Sequence, residues 1–387
     1  MKPKQDTLIV TAGRDPDAQF GVVNTPVYRA STILFPTVEA LKTKNQPYTY
    51  GRRGTPTHAA LQEAIALLEG GAKTVLTPSG LAAVTTALTA FLRTGDHLLM
   101  TDSVYGPSRH FCDTILKRNG VEIDYYDPTV GAGISALMKP NTKVVFAESP
   151  GSITFEVQDI PALAEAAHAG GAKLIIDNTW ASPFYFKPFE HGADVSIQAI
   201  TKYLGGHSDV MMGSITATGD AAKTVLAAHG AIGMAVSADD VFLVLRGMRT
   251  LSVRLERHMK TGLTLARWLE ARPEVARVIH PALPSHPDHA LWKRDFTGAS
   301  GLFGLVLNPC SDAALSAMLD NLDYYGMGWS WGGYESLIVP QDLKGIRTVT
   351  PDAHQGPLLR IHAGLEDPDD LIADLDAGFA RLNAANG

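Results

Sequence analysis

The chain is poor in several things, and each shortage removes a class of protein. It has two cysteines in 387 residues, Cys112 and Cys310. Two thiols so far apart make neither a disulfide framework nor a cysteine-based zinc site. Basic charge is also in short supply: 33 Lys and Arg face 40 Asp and Glu, for a formal charge of −7. That balance disfavours nucleic acid or an anionic membrane as partner. No apolar run is long enough to span a bilayer. The opening MKPKQDTLIV lacks the apolar core of a signal peptide, so the cytoplasm is the expected compartment. No G-x-G-x-x-G follows a strand and no G-x-x-x-x-G-K occurs, which leaves dinucleotide and P-loop sites without support.

What is present is an ordinary soluble composition, 45% hydrophobic and 19% charged. The length allows two or three domains around a large core. Residues 1–54 show no clear periodicity and read as an extended arm, ending in Thr-Tyr-Gly-Arg-Arg-Gly-Thr (49–55). From there the pattern is regular. An amphipathic helix over His58–Glu69 is closed by Gly70-Gly71. A strand, Thr74–Thr77, runs into Pro-Ser-Gly-Leu (78–81) and an Ala-rich helix to about Leu92. Further strands are predicted at His97–Thr101, Val121–Tyr126, Lys143–Ala147, Lys173–Asp177, Asp194–Gln198 and Gly213–Thr218. Helices such as Ser108–Asn119 and Ile160–Ala169 lie between them. This alternation predicts a mainly parallel sheet with helices on both faces, hence an α/β fold in three layers.

After about residue 248 the character changes. A helix Ser252–Glu270, a strand Phe303–Leu307, a helix Asp312–Leu322, a Gly/Trp-rich loop, a strand Leu358–His362 and a helix Pro368–Leu382 predict a smaller α+β domain. The expected division is an arm over 1–54, a large domain over 55–248 and a small one over 249–387. His280, His286 and His289 fall in a Pro-rich stretch and are read as a solvated loop, not as metal ligands.

Four features converge. Lys202 lies just past the end of a strand, in the Gly-rich turn TKYLGGHSD (201–209). Asp177 ends the preceding strand. Ser79, Gly80 and Leu81 open a helix, where free amides and the helix dipole favour an anion. Tyr105 follows the strand that ends at Thr101. Each alone has a plainer reading: a surface lysine, a helix cap, a core aromatic. Together they match pyridoxal phosphate, which needs backbone donors for its phosphate and a carboxylate for its ring nitrogen. It also needs a lysine for its aldehyde and an aromatic for its ring face.

The same residues carry a family resemblance. YGRRGTPTH (50–58), LEGGAKTVLTPSGLAAV (68–84), VVFAESPGSITFEV (144–157), IIDNTWASP (175–183), SIQAITKYLGGHSD (196–209), SWGGYES (330–336) and the segment from LLRIHAGLED (358–367) onward resemble the pyridoxal-phosphate enzymes of cysteine and methionine metabolism. ESPGSIT and SWGGYES resemble its carbon–sulfur β-lyase branch. The resemblance implies fold type I, a homotetramer made of two active dimers, and L-cystathionine as the amino-acid substrate. A cystathionine γ-lyase or γ-synthase, an O-acylhomoserine sulfhydrylase or a methionine γ-lyase of the same family, or a cysteine-S-conjugate β-lyase, stays open as the alternative.

The implied roles are as follows. Lys202 would bind the cofactor aldehyde, Asp177 the ring nitrogen, and Tyr105 would stack on the ring. Gly80, Leu81 and Thr201 would hold the phosphate, with Tyr50 and Arg52 reaching it from a neighbouring subunit. Arg360 would grip the substrate α-carboxylate with its planar fork. Ser330, Trp331, Tyr50 and Arg53 would border the substrate. Two positions depart from the family pattern: Ala199 stands where many relatives have Ser, and His110 where β-lyases have Asp.

Overall fold

The computed structural model describes residues 3–350 and 354–386. Seven strands form the large sheet: β1 (Lys73–Thr77), β2 (His97–Thr101), β3 (Glu122–Tyr126), β4 (Thr142–Glu148), β5 (Lys173–Asp177), β6 (Val195–Gln198) and β7 (Gly213–Ala217). Their order is β1-β7-β6-β5-β4-β2-β3. The run from β6 to β3 is parallel, while β7 is antiparallel to both of its neighbours. The mainly parallel sheet expected from the alternation is therefore present, with one reversed strand.

Both faces of the sheet are covered, which is why its strands read as near-continuous apolar runs. Successive residues nonetheless point to opposite sides. Leu76, Leu99, Val145, Ala147, Leu174 and Ile176 pack with the helices Pro56–Glu69 and Ile160–Ala169. Val75, Leu98, Met100, Val144, Phe146 and Ile175 pack with the helices Gly80–Phe91 and Gly219–Ile232. Glu69 ends the first of these helices and is fully buried; its Oε1 accepts from Ser196 Oγ and Gln198 Nε2, both at 3.1 Å. Burial lifts its carboxyl to about 7 against those two hydrogen bonds and Lys187. The contact ties the helix to β6, the strand that leads into Lys202.

A second sheet contains β8 (Val275–Ile279), β9 (Leu302–Leu307), β10 (Tyr325–Gly326), β11 (Ser336–Gln341) and β12 (Leu358–His362), in the order β10-β11-β12-β9-β8. It is antiparallel except for the β10–β11 pair. The helices Leu251–Glu270, Asp312–Leu319 and Pro368–Asn386 cover it.

Three expectations need correction. The segment read as one helix, Ser108–Asn119, is a helix over Gly106–Phe111 followed by a wider turn over Cys112–Leu116. β8, β10 and β11 were not foreseen, being short or interrupted by Pro and Arg. The His280–His289 stretch is only partly solvated: Pro284, Ser285 and Pro287 are exposed, but His280 is fully buried and His286 nearly so. Each of those two imidazoles accepts a backbone N–H two residues on, from Ala282 and Asp288. Burial lowers them to about 3 and about 4, so both are neutral caps of tight turns. No group of three or more metal-ligating side chains occurs among the described residues.

One clasp joins the two sheets beside the strand ends. Asp102, just past β2, is fully buried. It accepts the backbone N–H groups of Thr348, Val349 and Thr350 at 3.0 to 3.1 Å. Arg109 and Arg347 pair with it at 2.9 and 3.2 Å. Burial alone would raise this carboxyl, but the three amides and Arg109 outweigh it and hold it below the ordinary carboxylate range. The segment 342–350, between β11 and β12, is thereby anchored to the large sheet. Asp102→Ala leaves the buried Arg109 guanidinium without a carboxylate and Arg347 with Glu156 alone, and the cost should be roughly 3–5 kcal/mol. Urea unfolding of cofactor-free protein at pH 7 should show it. Because the folded value is depressed, the stabilisation is present above the ordinary carboxylate range and is lost as pH falls through the folded value. A wild-type unfolding midpoint in the variant would mean the clasp does not hold the segment.

Candidate active site

The parallel strands deliver their C-terminal ends to one edge, where ligands bind in open α/β sheets. β5 lies between β4 and β6, so Asp177 is flanked directly by Glu148 on one side and Ile197 on the other. Past β6 the chain turns: Lys202 N–H donates to Ala199 O at 3.0 Å, and Gly206 N–H to Lys202 O at 2.8 Å. This irregular turn holds Lys202 over the sheet edge.

The Lys202 amine is largely shielded. Its Nζ donates to Ser330 Oγ at 2.9 Å and stands 5.3 Å from the centre of the Trp331 ring. Burial, with help from the Arg360 charge and against that of Asp177, lowers it to about 8. About a tenth is then free base at pH 7 and about half at pH 8, the state needed to attack a carbonyl or take a proton.

Asp177 uses one oxygen internally. Its Oδ1 accepts from Thr179 N–H at 3.0 Å and from Thr179 Oγ1 at 2.5 Å. Oδ2 has no partner among the described residues. Burial raises this carboxyl, against Thr179 and the charge of Lys202. A cation at Oδ2 would relieve that cost.

The anion cradle is present in outline. Ser79 Oγ accepts from Ala82 N–H at 3.0 Å and Ser79 O from Ala83 N–H at 3.1 Å. The first-turn amides of Gly80 and Leu81 are left without an acceptor among the described residues. A Cβ on Gly80 would lie 2.6 Å from the Ala199 methyl, so the helix start sits directly on the turn before Lys202. Thr201 Oγ1 is engaged elsewhere, accepting from Met212 N–H at 3.0 Å and donating to Met212 O at 3.2 Å.

Arg360, in β12, comes from the other sheet. Its Nη2 donates to Ser330 O at 3.2 Å, and no carboxylate pairs with it among the described residues. Burial lowers its pKa, with Tyr105 opposing. A half-buried guanidinium with a fork to spare is a receptor for a carboxylate. Tyr105 is 45% exposed, and its environment is set by burial, Glu148, Arg360 and Asp177 together.

The remaining candidates stand apart. Tyr50 is 49% exposed and forms a lone bridge with Thr32. Arg52 donates to Gly230 O at 3.0 Å, and the Arg53 guanidinium lies against the same glycine. Within one chain these arginines thus contact the helix Gly219–Ile232. His110 is exposed on its short helix and has no side-chain partner among the described residues.

One residue of the site went unread in the sequence. Glu148 Oε2 accepts the Tyr105 N–H at 2.7 Å, capping the helix that Tyr105 starts. Burial, then the neighbouring Asp177, raise its carboxyl well above the ordinary range. The signal was available: Glu148 ends the apolar run TKVVFAE just as Asp177 ends KLIID.

A buried amine, an acid with a free oxygen, an unpaired helix start and an unpaired arginine define a site of the pyridoxal-phosphate class, and the residues present fit that cofactor. The sequence family described as Cys/Met metabolism PLP-dependent enzyme matches residues 6–380, and the chain belongs to it. Cystathionine beta-lyase of Salmonella typhimurium is 50% identical over 394 residues, covering 99% of this chain and all of that protein. Cystathionine beta-lyase MetC of Escherichia coli is 48% identical over 390 residues, 98% and 99% of the two chains. Among solved structures, cystathionine gamma synthase from Xanthomonas oryzae pv. oryzae, in complex with aminoacrylate and cysteine, superposes with a TM-score of 0.92 at 33% identity, covering both chains fully. The enzyme is pyridoxal-phosphate dependent, with the mixed α/β fold of the type I class.

Glu148→Ala should leave the Tyr105 amide unpaired and loosen the ring. We expect turnover to fall several-fold, the effect of losing a hydrogen bond worth roughly 0.5–1.5 kcal/mol. Glu148→Gln keeps an acceptor oxygen and should stay much closer to wild type. Equal losses in both, measured as kcat/KM, would show that the negative charge matters and the acceptor does not.

Proposed function

We propose that this chain is a cystathionine β-lyase, cleaving the Cβ–S bond of L-cystathionine to give homocysteine, pyruvate and ammonia. The observation that carries the reading is the Lys202 amine, depressed to about 8 and held by Ser330 between Asp177 and an unpaired Arg360. The names of relatives near half identity over the whole chain support the same reaction.

Asp177 would hold the ring nitrogen through its free oxygen, and Gly80 and Leu81 the phosphate. Thr201 would add a donor only by giving up its bond to Met212 O. Tyr105 would cover the ring face. Bound there, pyridoxal phosphate supplies a sink for the electron pair released when the Cα–H bond breaks. Arg360 binds the α-carboxylate and so fixes the orientation of Cα. Lys202 Nζ, aimed by Ser330 Oγ, takes the Cα proton. The same amine then gives a proton to the departing homocysteine sulfur as the Cβ–S bond breaks. Trp331 shields the amine from bulk water, which keeps its pKa low. The three-carbon fragment leaves as an enamine, and water converts it to pyruvate and ammonia.

A γ-cleaving enzyme would use the same residues. The keto acid separates the two: pyruvate is expected from cystathionine, and 2-oxobutyrate as main product would overturn the β-lyase reading. Borohydride reduction of the yellow protein should fix the cofactor on Lys202. Label on Lys173 or Lys223 would move the site.

The substrate is an amino acid; the assembly we infer is a homotetramer of two active dimers, with the arm over 1–54 reaching the neighbouring subunit. Support comes from the arm's apolar surface: Phe20 is 100% exposed, Leu34 85% and Val38 67%. On this reading Tyr50 and Arg52 complete the phosphate cradle of the partner, and Tyr50 and Arg53 border its substrate. Arg52→Ala and Lys202→Ala should each be nearly inactive. Refolded together, they should recover up to roughly a quarter of wild-type activity, because one site in a hybrid dimer carries neither lesion. No recovery would mean that Arg52 serves its own chain, as its bond to Gly230 O would allow.

A further inference from the structure

Ser330 and Trp331 reach Lys202 from a loop between β10 and β11 that has no regular structure of its own. Its anchor is a histidine. Gly332 N–H donates to His362 Nε2 at 3.0 Å, and Gly333 O lies 3.1 Å from the same nitrogen. His362 is the last residue of β12 and stands two residues after Arg360, on the same face of the strand. It is 1% exposed. Gly332 has φ of +86°, and a Cβ there would lie 3.0 Å from the Lys202 carbonyl carbon and the Tyr203 nitrogen. The loop backbone therefore rests directly on the Lys202–Tyr203 peptide.

We propose that His362 is a positioning residue for Lys202: its neutral ring seats the Gly332 amide and so presses the Ser330–Trp331 loop onto the lysine amine. This rests on the reading of Lys202 as the reacting amine. The chain of contacts is short. His362 holds Gly332, Ser330 Oγ accepts a hydrogen bond from Lys202 Nζ, and Ser330 O accepts one from Arg360 Nη2. The charged and titratable groups around the imidazole are His258, Arg360, Lys202 and Tyr203, whose ring centre is 6.0 Å from that of His362. His258 uses Nδ1 toward Ala363 O at 2.8 Å, and its Nε2 and the Nδ1 of His362 have no hydrogen-bond partner among the described residues. Full burial, then His258, Arg360 and Lys202, oppose protonation of His362 against the pull of Gly333 O, so the ring stays neutral. We assign its one proton to Nδ1, which leaves Nε2 free to accept from Gly332 N–H.

Without the anchor, the loop can lift and water can reach Nζ. The amine, which Arg360 from β12 and Asp177 from β5 face directly, then moves back toward an ordinary lysine. The test uses cofactor-free protein and reads the pH midpoint for acetylation of Lys202 by acetic anhydride, followed by peptide mass mapping. Wild type should give a midpoint of about 8. His362→Leu fills the space without an acceptor and should raise the midpoint by about one unit. His362→Gln places a side-chain oxygen near the position of Nε2 and should stay near wild type. If the leucine variant does not fold, His362→Asn takes its place, since its amide falls short of Gly332. In a Ser330→Ala background the effect of His362→Leu should shrink, because both act through one loop.

An unchanged midpoint in a folded leucine or asparagine variant would overturn the inference. So would a glutamine variant that shifts as far as leucine, since the ring would then be packing alone. Borohydride label on another lysine in the loaded wild type would sink the functional reading instead, without altering these midpoints.

Discussion

Everything at the sheet edge depends on keeping one amine out of water. A lysine in solvent is an ammonium ion at neutral pH and can neither attack nor accept a proton. Lys202 loses its proton far more readily because burial and the Arg360 charge both penalise its cation. Asp177 pulls the other way, so the value settles near 8 and not far lower. The result is an amine that changes charge within the range where an acid–base shuttle works best.

Holding that balance requires parts from both sheets. Asp177, Glu148 and Lys202 come from adjacent strand ends of the large sheet, whereas Arg360, Ser330 and Trp331 come from the small one. Two buried polar junctions keep the sheets in register at this point. The Asp102 clasp fastens the segment before β12, and Trp180 Nε1 donates to Leu302 O of β9 at 2.9 Å. Glu148 does a smaller version of the same task inside the large sheet by fixing where Tyr105 begins its helix. Asp102 and Trp180 are buried polar groups whose partners cannot be removed without cost.

Much of the fold could be read directly from sequence. The strands KTVLT, HLLMT, TKVVFAE and KLIID are compact apolar runs, and runs of that length between helical patterns have few alternatives. The places of Lys202, Asp177 and Gly80 beside strand ends and at a helix start were also legible, because such boundaries are marked by abrupt changes in composition. Harder cases had a physical reason. β8 reads VARVI, and β11 contains Pro340, so edge and bulged positions hid their pattern. The histidines of 280–289 looked solvated because Pro and His are usually exposed, yet here the loop folds back onto Phe303.

Local sequence determined the elements, the chemistry on offer and the class of cofactor, since these follow from periodicity, turn residues and side-chain type within a short span. Tertiary structure alone decided which groups share an environment. Glu148 and Asp177 lie 29 positions apart and Lys202 and Ser330 lie 128 apart, and nothing local to either member of a pair reveals the other. A pKa is a property of neighbours and burial, so the state of Lys202 and the neutral role of His362 exist only once the chain has closed on itself.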